Sequence, residues 1–219
     1  MAPYEPYQRG ERVPNPHGDF SDIERVANQP GFFAKRLRFH SSYLPEFKTL
    51  EELTKFIEER IDVIKPYIAE YLPEYYIAYS GLKDDDMSNK EAYIFIKEVE
   101  QTEAQGQELE ESAKQIDNFI ERAAECFIAN YDPQTNTALA PDLKVPNFVH
   151  GKIGDRRPQT YYVDLFPVLQ WDITSYAVQI QLLKSHFGYI YDFPKARNAI
   201  KQLRNLNPTL LNNINQLEQ

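Results

Sequence analysis

The chain has 219 residues, 42% of them hydrophobic and 26% charged, with a formal net charge of -9. That length buries a real core, as one domain or as two modest lobes sharing a cleft. The acidic balance disfavours nonspecific attraction to nucleic acid or to an anionic membrane. A single cysteine, Cys126, excludes an intrachain disulfide and a cysteine-based zinc site.

The N-terminus, "MAPYEPYQRGERVPNP", has no apolar core of signal-peptide length, and no segment is long and apolar enough to span a bilayer. The expectation is a cytoplasmic protein with no membrane insertion. Residues 1–16 are rich in Pro, Tyr and charge and read as an extended arm rather than a packed element. "FSDIERVA" and "FFAKRLRF" then flank "NQPG", whose Pro30-Gly31 is a turn signal, so the pair reads as a hairpin. The run Lys35, Arg36, Arg38 is a local basic patch that an anionic ligand can use despite the overall charge.

From Thr49 to Tyr71 the pattern is helical, with Leu53, Phe56, Ile57, Ile61, Ile64 and Ile68 on one face. Thr49 and Glu52 make a capping box at its start, and Pro66 is expected to kink or end it. "EYYIAYS" and "EAYIFIKEVE", rich in aromatic and β-branched residues, read as a second hairpin across "GLKDDDMSNK", with Asp84 to Asp86 as its solvated tip. A long helix follows over Glu108 to Asn130, its stripe made by Leu109, Ile116, Phe119, Ile120, Ala123, Phe127 and Ile128. "FVHGK" and "TYYVDLF" around "IGDRRPQ" form a third hairpin, and the C-terminal third is helical. Segregated strands and helices of this kind give an α+β fold.

Two short segments carry the chemistry. Asp142-Leu143-Lys144-Val145-Pro146-Asn147 sets an acid and an amide with four residues between them, and Asp164-Leu165-Phe166-Pro167 ends a strand-like run. The first resembles the catalytic loop of the protein-kinase-like fold, with Ala-Pro in place of His-Arg before the acid. The second resembles that family's metal-binding Asp-Phe-Gly motif with two changes. "YIFIKEVE" resembles the strand leading into the hinge, "HGDFSDIERV" a shortened glycine-rich loop around Gly18, and "FFAKRLRF" the strand carrying the phosphate-binding lysine. The resemblance covers roughly residues 13–170.

What this resemblance implies is a two-lobed fold, with a small antiparallel-sheet N-lobe at residues 17–100 and a short helical C-lobe at 101–219. It implies a phosphotransferase using ATP and Mg²⁺ on a hydroxyl acceptor of unknown identity, with a nucleotide and that acceptor or a protein as partners. Asp142 would take the acceptor proton, Lys144 would steady the transferred phosphate, and Asn147 and Asp164 would hold the metal. Lys35 would meet the nucleotide phosphates. On an extended strand it shares a face with Phe33, Leu37 and Phe39, and a cation on an apolar face needs a partner. Glu52 is the first candidate partner, with Glu59 the alternative.

Each residue also has an ordinary reading: Asp142 as a surface turn residue, Asn147 bonding its own backbone, Asp164 as a strand-end cap, Lys35 snorkelling to solvent. Several departures favour a catalytically degenerate binding or adaptor module, a pseudokinase. The loop at Gly18 has one glycine, Phe33 stands where alanine is usual, Pro167 replaces glycine, and little chain follows Asp164. A purely structural interaction protein is the third alternative.

Overall fold

The computed structural model describes residues 9–13, 21–37, 47, 49–80, 91–165 and 168–211. The chain divides into two compact units. One comprises residues 1–58 and 73–98, the other 59–72 and 99–219. Both are mixtures of helix and antiparallel sheet, and the α+β expectation holds at that level.

The first unit is built on one antiparallel sheet of β1 (Arg9–Val13), β2 (Ser21–Val26), β3 (Phe32–Leu37), β4 (Tyr75–Ser80) and β5 (Glu91–Lys97), in the order β1-β2-β3-β5-β4. Gly31 takes the left-handed conformation (φ 84°) that closes the β2–β3 turn. The arm expected at residues 1–16 is corrected in part. Arg9–Val13 pairs with β2 and so belongs to the sheet.

Register decides what each face holds. Ile23, Lys35, Ile94 and Ile77 stand in one row across β2, β3, β5 and β4. The opposite face carries the cluster of Val26, Ala34, Tyr93 and Phe95, with Phe32 against it and Tyr76 stacked on Phe95 at 4.6 Å. Alternation along β3 therefore separates the Ala34 face, with its aromatic cluster, from the face that carries Phe33 and Lys35.

Helix α1 (Leu50–Ile68) runs across the boundary between the units. Its capping box forms as the sequence requires: Glu52 N–H donates to Thr49 Oγ1 at 3.1 Å, and Thr49 N–H to Glu52 Oε2 at 3.3 Å. The helix continues past Pro66 by two residues and closes with a 3-10 turn at Ala69–Tyr71. Leu53, Ile57, Ile61, Ile64 and Ile68 of the expected stripe are all buried.

The second unit is organised by α2 (Gln107–Ala129), whose buried stripe includes Ile116, Phe119, Ile120, Ala123 and Phe127. Against it lie the three-stranded sheet of β6 (Glu100–Gln101), β8 (Phe148–Lys152) and β9 (Gln159–Tyr162), and the pair β7 (Thr137–Ala140) and β10 (Leu169–Asp172). The β8–β9 hairpin is the expected third one. β6, β7 and β10 are too short to announce themselves in the sequence.

Helices α3 (Ile173–Phe187), α4 (Pro194–Leu206) and α5 (Pro208–Leu211) follow. Asp172 caps α3 by accepting from the Thr174 and Ser175 N–H groups. Helix α4 has no side-chain cap from its own N-cap residue, Phe193. Asp117 of α2 does the work instead, its two carboxylate oxygens accepting from Lys195 N–H at 3.1 Å and Ala196 N–H at 2.8 Å.

Candidate functional site

Pro141 ends β7, since it has no N–H to give to a ladder. The chain then passes through Asp142, Leu143 and Lys144 into a 3-10 turn at Val145–Asn147 and enters β8. Buried loop backbone must find partners, and here several N–H groups can be followed. Asp142 N–H donates to the Tyr162 hydroxyl at 3.0 Å. Leu143 N–H donates to Gln179 Oε1 of α3 at 2.9 Å. Asn147 N–H donates to the Lys144 carbonyl at 3.0 Å, and Val163 N–H to the Asn147 carbonyl at 2.9 Å. That last bond extends the β8–β9 pairing and sets Asp164 beside the turn. Ala140, Leu143 and Leu165, all buried, fix the two segments from beneath.

The side chains gather on this frame. Asp142 is only 7% exposed, which rules out the surface-turn reading. Lys144 Nζ lies 3.1 Å from Asp142 Oδ2. Asn147 Nδ2 donates to the Asp142 carbonyl at 3.1 Å, so the amide nitrogen closes its own loop as the ordinary reading expected. This leaves its side-chain oxygen, the atom a metal uses, without a hydrogen bond among the described residues. Asp164 is half-buried and acts electrostatically on both Asp142 and Tyr162.

Burial pushes the Asp142 carboxyl up from its ordinary value, and the Asp164 charge adds to this; Lys144 opposes both. Two coupled carboxylates and an amide oxygen are all hard donors, the chemistry that suits Mg²⁺ shared with phosphate oxygens. Among the described residues no three His, Cys, Asp or Glu side chains converge as a ready-made metal cluster. A hard cation at this loop would have Asn147 and Asp164 as its protein ligands. Arg60 of α1 holds the far end of the Asp164 segment, donating from Nη1 to the Val168 carbonyl at 2.5 Å.

Four of the sequence-derived residues, Asp142, Lys144, Asn147 and Asp164, thus stand together within the second unit. Lys35 and Glu52 belong to the first. Lys35 is 8% exposed, in its row of isoleucines. Phe33, on the same face, has the Arg25 guanidinium 5.0 Å from its ring centroid, and Arg25 pairs with Glu98 at 3.0 Å. Glu52 is exposed and in the capping box, and Glu59 is exposed further along α1. Gly18, Phe166, Pro167 and Asp84 to Asp86 lie outside the described residues.

Sequence reasoning missed Tyr162 and Gln179, which hold the loop's backbone. Tyr162 carried a weak signal. A tyrosine on the inward face of a strand needs a partner for its hydroxyl. Gln179 gave none, since the pairing spans 36 residues.

Comparison with protein-family models and with curated proteins finds no match for this chain. Among the described residues no helix is long and apolar enough to cross a membrane.

Proposed function

We propose that the chain is a phosphotransferase of the protein-kinase-like type, using ATP and Mg²⁺ and acting on a hydroxyl acceptor. The observation that carries this is the convergence of Asp142, Lys144, Asn147 and Asp164 on one braced loop, with the acid buried and its neighbours supplying one cation and two further oxygen donors. A scaffold has no need to bury a carboxylate, because its desolvation costs stability even with Lys144 beside it. Further support comes from the order of elements. A five-stranded antiparallel sheet with α1 between β3 and β4 precedes a long helix, the Asp142 loop, a hairpin and Asp164.

In this reading the acceptor oxygen forms a bond to the terminal phosphorus of ATP as the bond to the ADP oxygen breaks, and the acceptor proton passes to Asp142. Lys144 steadies the transferred group. Asn147 and Asp164 hold Mg²⁺, which when bound neutralises charge on the phosphates. Lys35 is assigned to the nucleotide phosphates, and a cytoplasmic setting belongs to the same proposal.

The second reading is a nucleotide-binding module without turnover. The half-buried Phe33 on the Lys35 face favours it, since a phenyl ring narrows the space that an adenine would use. Phosphate release and self-phosphorylation from labelled ATP, in wild type and Asp142→Asn, separate the two. Turnover abolished by Asp142→Asn supports the enzyme. Binding with no turnover in either protein supports the module, and neither binding nor turnover ends both readings.

A further inference from the structure

The Asp142 loop and the Asp164 segment are tied to each other at both ends. At one end Ala140 of β7 pairs with Leu169 of β10, and at the other the Val163 N–H donates to the Asn147 carbonyl at 2.9 Å. Val163 and Val168-Leu169, the two ends of the Asp164 segment, are thereby held against the two ends of the loop.

One carbonyl in this frame lies outside the ladder. Val168 precedes the first residue pair of β10, and it is buried, so its C=O needs a donor from elsewhere. Arg60 supplies it, with Nη1 donating at 2.5 Å across 108 residues of sequence. The helix pattern explains how an arginine comes to be there. Arg60 stands three residues after Ile57 and four before Ile64, both buried, so it borders the inward stripe of α1, whereas Glu58 and Glu59 are exposed. Arg60 itself is half-buried, and that burial works against its charge and lowers its pKa. A cation kept in such a place makes a charge-assisted bond to the carbonyl, stronger than one from a neutral donor. Arg60, Asn147, Asp164 and Val168 all belong to the second unit.

We propose that Arg60 is a positioning residue for Asp164. By holding the Val168 carbonyl it fixes the outgoing end of the segment that presents this carboxylate. Asn147 fixes the incoming end through its own carbonyl. A metal-binding carboxylate needs placement to within about 0.5 Å, and a segment released at one end loses it. The hold on the segment stands on the bonds described; that the carboxylate so placed meets Mg²⁺ rests on the phosphotransfer reading.

The test is a double-mutant cycle on the full chain, with ATP and Mg²⁺ as the probe and calorimetry as the readout. It compares wild type, Arg60→Met, Asp164→Ala and the double variant. Arg60→Met is expected to weaken Mg²⁺–ATP binding about tenfold in the wild-type background, and by less than about twofold where residue 164 is already alanine. Arg60→Lys, which keeps a cationic donor, recovers part of the loss. Arg60→Gln, which keeps a neutral donor, replaces Arg60→Met if that variant does not fold. Equal losses in the two backgrounds overturn the proposal, because Arg60 then supports the fold without acting through Asp164. Unchanged affinity in Arg60→Met overturns it too. If wild type does not bind Mg²⁺–ATP, the phosphotransfer reading falls, and amide exchange at Val163 and Leu169 decides the hold on the segment. Faster exchange there in Arg60→Met, with the Ala196 N–H unchanged, supports that hold, and exchange equal to wild type overturns it.

Discussion

Lys144 Nζ sits 3.1 Å from Asp142 Oδ2, so the one cation of the loop is already committed to its buried acid. Asp142→Asn removes the proton acceptor while keeping the shape. Transfer activity is expected to fall by about 10²–10⁴-fold with nucleotide affinity little changed, read by steady-state kinetics beside calorimetric binding. Equal losses of affinity and of rate would place Asp142 in nucleotide binding instead.

Lys35 lies between Ile23 and Ile94 in the sheet register. Replacing a whole buried ion pair by apolar side chains is often neutral for folding, whereas removing one partner costs about 3–5 kcal/mol. Lys35 has a partner of its own, so Lys35→Met is expected to lower folding stability by about that amount. Nucleotide affinity should drop about tenfold, as when a charge-assisted phosphate contact is lost. Urea unfolding and calorimetry check the two halves. A large stability loss with unchanged affinity makes Lys35 a structural residue.

The hairpins and the Asp142–Asn147 loop were legible because they are local. The spacing from Asp142 to Asn147, the Pro30-Gly31 turn and the alternation in "YIFIKEVE" are each set by a few neighbouring residues, and hairpin register follows from turn chemistry. The two-strand pairing of β7 with β10 was not legible, because four residues of "TALA" carry little β signal and their partner lies about thirty residues away. The cap on α4 was invisible for the same reason: Asp117 and Ala196 are 79 apart in sequence. Arg9–Val13 hid in a stretch whose proline and charge suit an arm, and only pairing with β2 makes it a strand. In the site, the acid and the amide could be read from the sequence, Tyr162 only weakly and Gln179 not at all, since folding alone brings them to the loop.

Asp117 is 0% exposed and caps α4 from another helix. Asp117→Ala leaves two N–H groups without their acceptor. The expected cost is about 2–3 kcal/mol, a fall in Tm of about 5–10 °C. Burial holds the Asp117 carboxyl above its ordinary value, against the pull of the Ala196 and Lys195 N–H groups. The folded state therefore keeps this proton longer than the unfolded chain. Its contribution is complete below the ordinary value of 3.8 and is lost as pH rises through the folded value. Relative to Asp117→Asn, wild-type stability should decline on going from about pH 3.5 to about pH 7 in urea titrations. A rise over that interval would contradict the assigned cause.

Gly151 on β8 faces the backbone of β6. A Cβ there would stand 2.3 Å from the Glu100 carbonyl oxygen and 2.8 Å from Val99 Cγ1. Gly151→Ala must push β6 off its partner, and the expected cost is about 2–3 kcal/mol, typical of overpacking against atoms that cannot yield. Thermal unfolding should show a Tm lower by several degrees, and amide exchange at Thr102, whose N–H bonds the His150 carbonyl, should speed up. An unchanged Tm would mean that β6 and β8 are not paired in solution.

The account depends most on whether Asn147 and Asp164 hold a metal together with nucleotide phosphates. Calorimetric titration of the full chain with ATP, in Mg²⁺ and in EDTA, for wild type and Asp164→Ala, addresses this directly. Wild type is expected to bind at nucleotide concentrations below about 1 mM only with Mg²⁺, and Asp164→Ala to bind at least about tenfold more weakly. Affinity that is the same with and without Mg²⁺, or the same in the two proteins, contradicts the account.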